Sequence, residues 1–97
     1  MTTSIADTPE YADFEAKHNR HLNMLSDADR NLRRQALNEF KKAVNSNISN
    51  AILELFYREK LCKRLVMSLE DQVEKNREIT LEILTTAIEK CGFKEES

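Results

Sequence analysis

The sequence predicts an all-α fold in which two pairs of long antiparallel helices stack as a short α-solenoid. Three observations carry that prediction. The chain has one glycine and one proline in 97 residues, too few turn residues for a sheet protein, so long helices with short connections are expected. Apolar residues recur at spacings of three and four through several separate stretches, the period of one helical face. The pattern also returns after 44 residues: Leu25, Leu37, Phe40, Ala43 and Val44 correspond to Leu69, Leu81, Leu84, Ala87 and Ile88.

Residues 1–7 read as a disordered lead-in. Thr8 and Pro9 then open the first helix as N-cap and first helical residue, and it should run to about Leu25. Its apolar residues are Tyr11, Phe14, Leu22, Met24 and Leu25, with His18 and His21 on or beside the stripe. Asp27 is expected to cap the second helix, whose stripe is Leu32, Ala36, Phe40 and Ala43, flanked by Leu37 and Val44. The polar run Asn45-Ser46-Asn47 ends it. A third helix is expected from about Ser49 to Leu69, with a bend or break at Tyr57–Lys60, where its stripe is interrupted. Asp71, with Glu74 three residues on, resembles a capping box and should open the fourth helix. That helix should end near Cys91, with Gly92 as a left-handed stop and Phe93 making the accompanying apolar contact. The expected domain is 8–93, made of repeat one at 9–46 and repeat two at 49–92, with a tail at 94–97.

The composition bounds the function. Charges of both signs are interspersed and sum to −2, which gives no clustered basic face for nucleic acid. No stretch reaches the ~18 uninterrupted apolar residues of a membrane span. The opening "MTTSIADTPEYADFEAKH" has no apolar core and carries acids, unlike a secretory signal. Membrane insertion is therefore not expected, and a cytoplasmic location is. Cys62 and Cys91 lack metal-ligand spacing and read as reduced, buried thiols. Asn47-Ile48-Ser49 fits a glycosylation pattern that needs secretion to be used.

Catalytic chemistry is equally sparse. One glycine cannot make a phosphate-binding loop. His18 and His21 lie three apart on one helix face, but without a third ligand they read as a partly buried structural pair rather than a metal site. No positioned base for either cysteine is evident. The expectation is a protein with no catalytic residues, no metal and no cofactor.

The two halves differ in an informative way. Gln35 and Glu39 in the second helix become Ile79 and Ile83 in the fourth. A terminal repeat keeps its outward flank polar, while the next must be apolar where it meets its neighbour. Ile79 and Ile83 are therefore expected against the first repeat, facing Leu37 and Val44. Matching at the 44-residue shift also suggests cross-repeat ion pairs, Arg30 with Glu74 and Arg34 with Glu78. Lys41 lies on the same outward face of the second helix, and Glu82 on that of the fourth. Leu81 and Ile88 are apolar on a flank for which no further repeat follows in this chain, so the next repeat of a longer protein, a second copy or the tail through Phe93 is expected to cover it. With Arg30, Arg34, Glu78 and Glu82 they form the candidate partner surface. Polar replacements elsewhere, Met24 by Ser68 and Phe14 by Arg58, suggest that the other helices are closer to finished at that end.

The turn motif narrows the repeat class. Asp27-x4-Leu32-Arg33 followed by Ala36 resembles the turn and second helix of a HEAT repeat; Asp71-x4-Asn76-Arg77 followed by Thr80 departs at Asn76, where that pattern is aliphatic. A period of ~40–47 residues is the HEAT and armadillo range. The resemblance implies a ladder in which the arginine of one repeat reaches the aspartate of the next: Arg33 with Asp71, or Asp27 with Arg77. The run "DQVEKNRE" at 71–78, with Arg33-Arg34-x-Ala36-Leu37 upstream, is similar to the amino-terminal repeats of the HEAT-repeat dynein axonemal assembly factor family, over about residues 20–91. Members of that family are much longer, so the resemblance implies an amino-terminal fragment. It also implies a scaffold in cytoplasmic preassembly of axonemal dynein for motile cilia, with dynein subunits and co-chaperones as partners. Read from the residues alone, a self-contained four-helix oligomerisation or adaptor bundle stands beside it. Self-association through the open end would be another way to cover Leu81 and Ile88.

Overall fold

The computed structural model describes residues 5–91, with side chains for 5–90. Helix α1 spans Pro9–Met24 and α2 spans Arg30–Val44. Then α3 at Asn50–Phe56, a π-helical turn at Tyr57–Leu61 and α4 at Cys62–Ser68 follow without interruption as one rod, and α5 at Glu74–Cys91 closes the described chain. The four rods form two pairs in a slab of 47 × 33 × 21 Å. Helix α5 packs most extensively against α2, and the core runs between them to the first helix of each pair.

Local chemistry explains the boundaries. Thr8 accepts from the Tyr11 amide at 3.3 Å, capping a helix whose first residue is Pro9. Part of the expected lead-in is ordered: Ile5–Asp7 form a 3₁₀ turn, and the Thr8 hydroxyl donates to the Ile5 carbonyl at 2.7 Å. The N-cap of α2 is Asp29, not Asp27. Asp29 accepts from the Asn31 amide, while the Asp27 carboxylate takes the Asp29 amide, both at 2.8 Å. Asp71 acts the same way on the Val73 amide at 2.8 Å, so α5 begins at Glu74. Each aspartate thus holds the turn three residues before the helix proper. The expected stop at Gly92, the contact of Phe93 and the tail at 94–97 lie outside the described residues.

The turns are copies of one another. Leu25, Ser26 and Asp27 donate to His21, Asn23 and Met24; 44 residues on, Leu69, Glu70 and Asp71 donate to Leu65, Met67 and Ser68. The repeat seen in the sequence is a repeat of hydrogen bonds.

A π turn at Tyr57–Leu61 stands where the sequence predicts a bend or break in the third rod, and the rod continues through it. The buried residues are Ile52, Leu53 and Phe56 before it, Tyr57 and Leu61 at its two ends, and Leu65 and Ser68 after it. Phe56 and Leu61 are five apart, one more than an α-helix allows for residues on one face. The wider turn absorbs the extra residue and leaves Arg58, Glu59 and Lys60 exposed. Downstream positions therefore move round the helix. Val66 is 52% exposed. Ser68 is buried, its hydroxyl donating to the Arg64 carbonyl, so it is no outward finishing residue. Cys62 is half-buried at the core edge; the side chain of Cys91 is not described. Deleting Glu59 should restore four-residue spacing and leave the fold intact, with a melting temperature within a few degrees of wild type. Deleting Leu55 instead, inside regular α-helix, should turn the two apolar faces by ~100° against each other and unfold the chain. Equal outcomes in thermal melts would contradict this account.

Candidate protein-interaction surface

The α2–α5 interface is polar at its N-terminal end, beside the two turns. Arg33 donates from Nε and Nη2 to the two carboxylate oxygens of Asp71, at 2.8 and 3.2 Å. Its Nη1 donates to the Asp27 carbonyl at 2.9 Å, so one guanidinium joins its own turn to the next. The pairing side chains are 19% and 4% exposed. The Arg33 guanidinium holds the Asp71 carboxyl down at about 2 against the opposing effect of burial, helped by the Val73 amide and Asn76. The same bond raises the Arg33 pKa. Arg77 takes the matching pose in the second pair: its Nη1 donates to the Asp71 carbonyl at 2.6 Å. It does not meet Asp27, and no carboxylate holds it among the described residues.

Asn76, the departure from the aliphatic pattern, is fully buried. Its Oδ1 accepts from Arg34 Nε at 2.9 Å, and its Nδ2 donates to Asp71 Oδ2 at 3.2 Å and to the Arg30 carbonyl at 3.4 Å. Both amide N–H donors and the amide oxygen have a partner, which is what a buried polar group requires. This hub cannot be read from sequence until Arg34 is placed.

The expected pairs Arg30–Glu74 and Arg34–Glu78 do not form. Arg34 is engaged by Asn76, and Glu78 has Lys75 of its own helix within 3.7 Å. Residues 44 apart occupy the same angular position on two side-by-side helices, so they point in parallel rather than at each other. Contact falls instead between the facing edges: Arg33 with Asp71, Arg34 with Asn76, and Lys41 with Glu82 at 2.6 Å. Lys41 lowers the Glu82 pKa.

Ile79 and Ile83 are buried, as are Leu37 and Val44. Beyond them α5 turns a second stripe outward. Leu81 is 55% exposed and Ile88 49%; Leu84 is half-buried between them and Arg77 half-buried at the start. On α2 the equivalent residues lie inside: Arg33 bonds to Asp71, and Leu37, Phe40 and Val44 are buried.

His18 sits at the other edge of the core. It is buried, with its ring 4.7 Å from Phe14 and 5.3 Å from Phe40, and its Nδ1 lies 3.1 Å from Nδ1 of His21. One of these nitrogens must donate and the other accept. Burial, then His21 and Lys17, push the His18 pKa down to about 4, with Glu39 opposing. No group of three or more histidine, cysteine or acidic residues able to hold a metal occurs among the described residues. A folded pKa below the unfolded value of ~6.5 means stability is full above pH 6.5 and declines as pH falls toward 4. His18→Phe should flatten that decline in melts between pH 7.5 and 4.5; an unchanged slope would place its origin elsewhere.

No helix among the described residues is long and apolar enough to cross a membrane. The fold and the interface together define a segment of α-helical repeat protein, two stacked pairs joined by a buried arginine–aspartate bridge. Over residues 24–97 the chain matches the family model described as "Dynein axonemal assembly factor 5-like, TPR repeats", and it belongs to that family. It is 34% identical over 79 residues to "Dynein axonemal assembly factor 5" of Xenopus laevis, covering 80% of this chain and 9% of that relative. No solved structure matches the chain. The family description speaks of TPR repeats; the observed 44-residue spacing of the turns is longer than the ~34 residues of a TPR unit.

Proposed function

We propose that the chain is a non-catalytic protein–protein interaction scaffold, two HEAT-like units at 9–46 and 49–92, and that it serves the cytoplasmic preassembly of axonemal dynein. The observation that carries the reading is the outward stripe of α5. Leu81 and Ile88 stay half exposed at positions whose counterparts, Leu37 and Val44, are buried. A closed bundle would fold these residues inward; a repeat scaffold presents them to another protein. The name of the Xenopus laevis relative supports dynein assembly as the process, and dynein subunits and their co-chaperones as the proteins served. The test is made in multiciliated cells. The segment encoding residues 24–91 is removed from the endogenous gene in frame, and dynein arms are counted in axonemes by electron microscopy. Loss of arms with dynein heavy chain retained or degraded in the cytoplasm is expected. A full complement of arms would sink the proposed process.

A further inference from the structure

We infer that the groove between the end of α1 and α4 binds a short acidic segment of a partner protein, lying extended with its carboxylates on Lys63 and Arg64. The groove is separate from the outward stripe of α5. Its walls are α1 on one side and the π turn with α4 on the other, and the two matching turns close one end. All of these belong to the two pairs described, so the groove is not a face on which one pair stacks against the next. Its volume is about 1090 Å³, at the top of the ~300–1,000 Å³ range of small-molecule sites, which suits a stretch of peptide.

The charge in the groove is one-sided. The α1 wall is neutral, with Asn19, Asn23 and Ser26 exposed on it. Opposite it stand Arg58, Lys60, Lys63 and Arg64. Two of these have acids of this chain: Lys60 reaches Glu15 at 3.0 Å, and Arg58 lies 3.7 Å from Glu54. Lys63 and Arg64 have none. The Lys63 side chain is exposed and makes no ion pair or hydrogen bond among the described residues. Arg64 is half-buried, and its side chain makes one bond, from Nη1 to the Leu22 carbonyl at 3.1 Å. That bond crosses from α4 to α1 and fixes the guanidinium, leaving its other N–H groups for a ligand. A planar fork held in this way matches a carboxylate.

Two acids limit what fits. Glu59 and Glu70 also line the groove, at the two ends of the basic row, ~15 Å apart along the helix. An extended chain covers that distance in about five residues. A nucleic acid, charged at every step, would set a phosphate against one glutamate or the other. A short acidic run bounded by neutral residues would not. Met67, 71% exposed one helical turn beyond Lys63, offers a contact for an aliphatic side chain next to the acids. Neither end of this chain supplies the segment. Residues 1–4 carry no acid. Helix α5 leads away from the turn beside the groove for ~27 Å before residue 92, and residues 92–97 span ~20 Å at full stretch.

The probe is a fluorescein-labelled peptide, Leu-Ser-Asp-Glu-Glu-Ser-Leu, blocked at both ends so that only side-chain carboxylates are offered. Anisotropy is titrated against the whole 97-residue chain. Saturable binding is expected at low ionic strength, weakened several-fold in about 0.3 M salt. Lys63→Glu should weaken it about tenfold and melt as wild type, because the lysine side chain is unbonded in the fold. Arg64→Gln should weaken it about fivefold. Changing the central glutamate of the peptide to lysine should weaken binding to wild type and restore part of the binding to Lys63→Glu, an exchange that a merely structural role would not give. Spreading the same three acids over about eleven residues should cost about fivefold, since the outer acids then meet Glu59 and Glu70. Leu81→Ser with Ile88→Ser should bind the peptide as wild type does. No saturable binding overturns the proposal. So does binding unchanged by Lys63→Glu, or binding lost in the double serine variant, which would put the peptide on α5. Tighter binding of a single-stranded oligonucleotide of the same length, also lost in Lys63→Glu, would make the groove a nucleic-acid site and overturn it as well.

Discussion

Asp71→Ala should cost about 3 kcal/mol, because it strands a partly buried guanidinium. For a domain this small that is a fall of about 10–20 °C in melting temperature. Three interactions go at once: the two-pronged bond from Arg33, the Val73 amide that starts α5, and one arm of Asn76. Asp71→Asn keeps an oxygen for Val73 and should lie between. Arg33→Ala combined with Asp71→Ala should cost less than the sum of the two, since neither charge is then left alone. The pH dependence has a definite sign. Asp71 titrates at about 2 in the folded chain against an ordinary 3.8. Its contribution is therefore full above about pH 4 and is lost as pH falls toward 2. This window lies below the one for His18. Denaturant melts of the four species at pH 7 check the magnitude; strict additivity would show that the pair is not coupled.

Phe40→Ala should be at least as damaging, at about 4 kcal/mol at neutral pH. Phe40 is 1% exposed and joins three elements. Its ring lies 5.3 Å from His18 and 6.1 Å from His21 on α1, and 6.1 Å from Phe56 on α3. Removing it leaves a cavity that rigid helices cannot close. Native stabilities of about 5–15 kcal/mol leave little after such a loss, so broad, weakly cooperative melting is expected. A cost below about 1 kcal/mol would mean that the aromatic cluster is not the centre of the core.

These two residues also show what the sequence discloses and what it hides. Phe40 was legible because helical spacing needs no partner: residues three and four apart share a face whatever they touch. The importance of Asp71 was legible because turn chemistry is local and occurs twice. The contrast between Gln35, Glu39 and Ile79, Ile83 is likewise visible as a change of polarity at equivalent positions. The hidden parts all depend on how one helix is set against another. Asn76 looked like a lapse in an apolar pattern, yet it is the receptor for Arg34. The forecast pairs of Arg30 and Arg34 with Glu74 and Glu78 used sequence correspondence where contact geometry was needed. Counting residues located the irregularity at Tyr57–Lys60 but not its form, a π turn that shifts Val66 outward and Ser68 inward although each obeys the period locally.

The covering of α2 by α5 has a consequence for a chain made from its amino end. Leu37, Phe40 and Val44 leave the ribosome well before Ile79 and Ile83, which belong to the helix that will cover them. At ~5–20 residues per second this interval lasts on the order of seconds. Meanwhile the nascent first pair displays an arginine followed by an aliphatic stripe, the same arrangement that α5 displays in the finished chain. A growing array of such pairs would always carry one uncovered stripe at its advancing end.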